Sequence, residues 1–223
     1  MPSLEKTIEG IEEIAKSKTV DIISIGPDQI AQECFFNQEN ACKEFEGGGG
    51  VPLRKKEDLE SLYKSSRIGN FPLLRCYAGT NNLIRWGGML KETINNAWGA
   101  IPLFWYSELD GRSKRDLISA IGENQNTIKW HAENKIPIEI NDSHQWALRK
   151  TTDPIEVASA YIATYNAKKL GVRYYIQQFM MNVPPEISPE MDIAKMLAKL
   201  EYISELSNNR FTVLRMIRTG LAS

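Results

Sequence analysis

Histidine and cysteine are scarce in this chain, at two and three residues, and neither set has metal-site spacing. His131 and His144 show no HExxH pattern, and Cys34, Cys42 and Cys76 make neither a metal-spaced pair nor an even disulfide framework. A reducing cytoplasm is therefore the expected compartment. No charge of one sign dominates: 27 Lys and Arg face 28 Asp and Glu, with no basic block and no interleaving of cations with aromatics. Nucleic acid is not expected as a main partner. Long apolar runs are missing too, since the longest, Ala100–Tyr106, is far too short to span a bilayer. The first residues, MPSLEKTIEG, lack the basic-then-apolar pattern of a signal peptide, so neither export nor a membrane role is expected. A Walker sequence and a GxSxG nucleophile elbow are also absent.

What the chain does contain is repetition. Short apolar runs at Val20–Gly26, Phe71–Gly79, Ala100–Ser107, Ile136–Asn141, Val172–Met181 and Phe211–Ile217 are bounded by turn residues, like strands buried on both faces of a parallel sheet. Helical periodicity fills the intervals. Ile193, Met196, Leu197, Leu200 and Ile203 recur at three and four residues among Lys195, Lys199, Glu201 and Glu205, which predicts an apolar stripe facing a core. Asp153, Pro154 and Glu156 read as an N-cap, a first-turn proline and the third member of a capping box, and Ser188, Pro189 and Glu190 repeat much of that pattern. Such strand–helix–strand repeats wind right-handed. They predict an α/β fold, a (β/α) TIM-type barrel with six βα units visible, as one domain over residues 1–223 or as the N-terminal portion of one. An incomplete barrel of this kind is expected to be open beside its sixth strand. The Gly47–Gly50 run, in the long connection between the first two strands, reads as a flexible loop or as backbone that approaches a ligand closely.

Barrel enzymes place their active sites at the C-terminal ends of the strands, which gives polar residues there functional weight. The second strand ends in Arg75, Tyr77 and Thr80; Arg75 and Tyr77 share parity, and an arginine among Leu73, Leu74 and Cys76 needs an anion to answer it. That anion is a ligand carboxylate or phosphate, or an internal acid such as Glu139. The fourth strand ends in Glu139 and Asn141, of shared parity, followed by His144, a set suited to proton transfer on a polar substrate. The plainer alternative pairs Glu139 with a core arginine and leaves His144 capping a loop. Gln177 and Gln178 must point to opposite faces of the fifth strand, and at least one needs partners inside. Arg215 is a second strand cation that could converge with Arg75 on one diacid. Glu139 and His144 are thus the candidate catalytic pair, and Arg75, Tyr77, Thr80, Asn141, Gln178 and Arg215 the candidate substrate-binding residues. His131 reads as a surface or packing residue.

The segment Pro72-Leu73-Leu74-Arg75-Cys76-Tyr77-Ala78-Gly79-Thr80 resembles the strand of the glutamate mutase (methylaspartate mutase) catalytic subunit that has an arginine shortly before Gly-Thr. Gly171-Val172-Arg173 and, further on, Met191-Asp192-Ile193-Ala194 resemble that family's Gly-Val-Lys strand and Asp-Ile-Ala helix start. The similarity runs from Phe71 to Ile217, at the level of a superfamily. It implies a barrel that closes over adenosylcobalamin carried by a separate domain or subunit, whose adenosyl radical abstracts a substrate hydrogen, while the barrel positions a small carboxylic or amino acid. Arg75 alone maps onto the family's carboxylate-gripping arginines. Asn141-Asp142 stands where the family has another arginine, Ile162 to Asn166 carries no glutamate, and Phe179 stands for a tyrosine, so an acid other than glutamate is implied. Asp142-Ser143-His144 is superficially similar to the Asp-x-His-x-x-Gly cobalamin motif but runs on to Ala147, so the lower ligand of cobalt is expected from a cobalamin-binding subunit or a missing C-terminal segment. The mutase has two rivals: a barrel lyase or aldolase using Glu139 and His144, and a non-catalytic subunit that binds a small acid or a partner protein.

Overall fold

The computed structural model describes residues 3–37, 49–77, 79, 81–111, 113–141, 143–183 and 185–219. Among them are eight helices and six strands in a mixed α/β structure with parallel sheets. The chain divides into two compact units, Met1–Gly99 and Ala100–Ser223.

The first unit holds α1 (Leu4–Ser17), β1 (Ile22–Ile25), α2 (Gln29–Cys34), α3 (Lys56–Ser65), β2 (Leu73–Cys76) and α4 (Leu83–Ile94). Ser3 starts α1 by accepting from the Lys6 amide, and Lys18 ends it in the left-handed region. β1 and β2 pair in parallel, Ile23 beside Leu74 and Ile25 beside Cys76. Those four side chains enter one apolar core with Leu59, Leu62, Trp86 and Leu90. The other parity, Ile22, Leu73 and Arg75, turns to the opposite face. Val51 lies along the end of β1, donating to the Gly26 carbonyl and accepting from the Asp28 amide. Gly50 enters this contact at φ +138, and a Cβ there would fall 2.6 Å from Pro27 and Asp28 backbone atoms. It therefore packs backbone on backbone; Gly47 and Gly48 lie outside the described residues.

The second unit contains α5 (Leu117–Glu133), β4 (Ile138–Ile140), α6 (Ser143–Leu148), α7 (Asp153–Lys169), β5 (Tyr174–Met181), α8 (Pro189–Ser204) and β6 (Thr212–Thr219), after β3 (Gly99–Ile101) at the boundary. The sheet order is β3-β4-β5-β6, with β4–β5 and β5–β6 parallel. Ile101, Ile138, Ile140 and Tyr175 pack against Ile128 of α5 and Ala163 and Ala167 of α7. Glu139 and Ile176, paired with each other, take the face away from this core.

The strands occur at the six apolar runs, but in sheets of two and four; no larger and no closed sheet occurs among the described residues. The third run is mostly not strand: after Ile101 the chain turns, with Leu103 and Tyr106 at positive φ. The α8 stripe holds at Ile203, which is buried, and in part at half-buried Met196 and Leu200, and is corrected at Ile193 and Leu197. Ile193 and Leu197 are 48% and 60% exposed, whereas Asp192, Lys195 and Lys199 are buried. Periodicity located the helix, but an ion network described below turned its charged face inward. At α7 the N-cap is Thr152 and Asp153 is already helical, which frees Glu156 for that network. β6 has one strand neighbour, β5, and its Leu214 and Ile217 are 46% and 63% exposed. No helix among the described residues is long and apolar enough to cross a membrane. Cys34 is disulfide-bonded, so the three cysteines are not all free thiols.

Cys76, by contrast, is a free thiol with no exposure. Burial pushes its pKa from 9.0 up to about 12, opposed by the Arg75 charge and the Tyr77 amide. Between those values the folded chain holds a proton that the unfolded chain releases, so stability should fall as pH rises from about 9 toward 12. At about pH 8, Cys76 should resist iodoacetamide in native buffer and react once the chain is denatured, read by peptide mass mapping. Rapid native labelling would contradict this burial.

Candidate functional site

In the second unit the polar residues at the end of β4 lie along the middle of β5. Glu139 is fully buried, Asn141 and Gln178 are each 2% exposed, and His144 is buried at the start of α6. Continuing the register of Glu139 beside Ile176 by two residues sets Asn141 beside Gln178, both on the face away from the core. Gln178 Oε1 accepts from Arg218 Nη1 of β6 at 3.4 Å. Its Nε2, and the Oδ1 of Asn141, have no hydrogen-bond partner.

Gln177 takes the other face and is consumed there. It accepts from Thr164 of α7 at 3.2 Å and donates to the Gln178 carbonyl at 2.9 Å and to Ser143 Oγ at 3.4 Å. Arg215 pairs in register with Gln177, so it too faces away from Glu139 and Gln178, and it is exposed. The expectation of a buried second cation at Arg215 is thus corrected: an edge strand leaves it in solvent, and Arg218, three residues on, is the arginine that meets the polar row.

Arg75 belongs to the first unit, on β2, and is 1% exposed. Its guanidinium carbon lies 3.5 Å from the centroid of the Tyr77 ring and 5.6 Å from that of Trp98, so the shared parity of Arg75 and Tyr77 appears as a cation–π contact. Thr80 lies outside the described residues.

Two clusters escaped sequence reasoning. Arg149, just after α6, ties the β3 and β4 loops together: it donates to Gln145 Oε1 at 2.7 Å, lies 3.5 Å from Asp110 Oδ2 and sits 4.2 Å over the Trp105 ring. Trp105 in turn meets Trp146 edge-on at 4.9 Å. The second cluster joins α7 to α8. Glu156 receives Lys195 at 3.1 Å on one oxygen and Lys199 on the other, while Asp192 accepts from the Asn182 amide at 2.6 Å. Loss of hydration lowers the Lys199 pKa, with the Glu156 charge opposing. The i, i+4 spacing of Lys195 and Lys199 with Asp192 was visible in the chain; that Glu156, a helix away, would answer them was not.

Among the described residues no three His, Cys, Asp or Glu side chains gather as a metal site. His131 is buried with Nδ1 2.8 Å from the Thr127 carbonyl, and burial lowers its pKa, so it is a packing residue. No protein-family model matches the chain, and no curated protein matches it significantly.

Removing Glu156 leaves two ammonium groups buried with too little negative charge. Glu156→Gln should lower unfolding free energy in urea by ~3–5 kcal/mol, whereas replacing Glu156, Lys195 and Lys199 together with methionine should cost little or stabilise. Equal losses in the two proteins would show that the network contributes packing and not charge balance.

Proposed function

We propose that this protein is an isomerase of the adenosylcobalamin-mutase type, a (β/α) barrel that binds a small carboxylic or amino acid at the C-terminal ends of its strands and rearranges it. The observation that carries the binding half is the buried polar row Glu139, Asn141 and Gln178. It stands on the non-core face at the end of β4, and the strand ends of parallel sheets are where ligands bind in α/β folds. The mutase half is supported by the sequence resemblance around Arg75, Gly171 and Asp192, and by repeated parallel strands with intervening helices.

This chain's own residues do not fit the lower ligand of cobalt. His131 and His144 are each 4% exposed, with His131 Nδ1 on the Thr127 carbonyl and His144 Nε2 3.4 Å from Gln145 Nε2, so burial closes both rings to an incoming metal. The proposal therefore places the cofactor on another subunit or segment. What falls to this chain is binding, exclusion of water and proton placement, with Glu139 and His144 as the groups able to hold or move a proton. The resemblance assigns Arg75 the grip on a carboxylate.

Calorimetric titration of the full chain with a panel of small carboxylic and amino acids should give one saturable ligand. Arg75→Lys, which keeps the cation but loses the planar fork, should weaken that ligand by at least about tenfold, within the ~2–5 kcal/mol scale of truncated desolvated pairs. With a cobalamin-carrying subunit added, turnover that requires adenosylcobalamin supports the mutase. Turnover without it would assign the site to proton-transfer chemistry by Glu139 and His144, and saturable binding without turnover to the non-catalytic alternative. No saturable acid would overturn the proposal.

A further inference from the structure

Gln178 on β5, and Asn141 one residue past β4 and beside it when the β4–β5 register is continued, each carry one unserved polar atom, an acceptor on Asn141 Oδ1 and a donor on Gln178 Nε2. At 2% exposure each, bulk water does not serve these atoms. Buried polar atoms are almost always paired, so two complementary orphans in neighbouring positions point to a group that arrives from outside. The Gln178 orientation is not arbitrary. Arg218 carries donors only, so the amide atom that meets it is the oxygen, and Nε2 is left to donate.

A group that answers both atoms must accept at one position and donate at the next. A carboxamide does so: its carbonyl takes the Gln178 hydrogen while its N–H reaches Asn141 Oδ1. A carboxylate would accept from Gln178 but bring no proton to Asn141, and it would add negative charge on the sheet face that already holds the Glu139 carboxyl two residues earlier on the strand. An ammonium group would serve Asn141 and leave Gln178 unserved.

Resting on the small-acid reading above, we propose that Asn141 and Gln178 form a carboxamide-reading subsite, so that the preferred ligand is a small acid bearing an amide and not a plain diacid. Arg218 acts as a positioning residue for Gln178.

Calorimetry on the full chain with succinate, succinamate and succinamide, and with glutarate and glutaramate, separates the possibilities. Wild type should bind a half-amide at least about tenfold more tightly than its diacid, the scale of one or two neutral hydrogen bonds. Gln178→Glu removes the donor while keeping the Arg218 contact, and Asn141→Leu removes the acceptor. Each should erase most of that preference, read as the ratio of half-amide to diacid affinity within the same variant. Circular dichroism checks that each variant folds, and Gln178→Glu carries the test alone if Asn141→Leu does not. Equal affinity of wild type for half-amide and diacid would overturn the subsite and leave the small-acid reading standing. Equal binding of succinamide and succinamate, with none of succinate, would keep the subsite and overturn the acid. No binding by any of the five would overturn both.

Discussion

Parity along parallel strands is the constraint on which the arrangement of both units depends. Ile138, Ile140 and Tyr175 pack under α5 and α7 because they share one face of the sheet, and that commits Glu139, Asn141 and Gln178 to the other. A slip of one residue would exchange the two sets, burying a carboxyl and two amides against alanines and leucines. Core packing therefore holds the polar row in register. The first unit obeys the same rule, since Ile23, Ile25, Leu74 and Cys76 enter its core and leave Arg75 to the opposite face.

Buried charge is handled in three ways. Arg54 meets Asp28 through two nitrogens, at 2.9 and 2.5 Å, and the same carboxylate caps α2 through the Ala31 amide. Glu156 is shared by two lysines of the facing helix, so the α7–α8 contact is specified by ions more than by apolar packing. Arg75 lies over an aromatic face. These groups cost desolvation, and burying them is tolerable only in fixed geometry. The charged helix faces consequently set how α8 is rotated, and with it the β5–α8 turn, through Asp192 on the Asn182 amide and Lys195 on the Val183 carbonyl.

That rotation explains what sequence reading misjudged in α8. A stripe of Ile193 and Leu197 is ordinarily the buried side of a helix, but two lysines and an aspartate compete for the interior once a glutamate on α7 is there to meet them. The six strand positions were legible because short apolar runs between turn residues need no tertiary information, as was the Ser188 cap of α8, which accepts from Met191. Strand lengths were less so. Ala100–Ser107 is apolar throughout, yet only its first residues pair, and Trp105 instead builds an aromatic cluster with Trp146.

Local pattern by itself determined the order and kind of elements, the shared face of Glu139 and Asn141, and the opposition of Gln177 to Gln178, since all of these follow from a two-residue period within one strand. Only tertiary structure decided which glutamine is satisfied, because Thr164 and Ser143, which occupy Gln177, come from different helices. It also decided that Arg218 and not Arg215 reaches the polar row, because register with β5 and the exposure of an edge strand are relations between segments. No sequence window contains them.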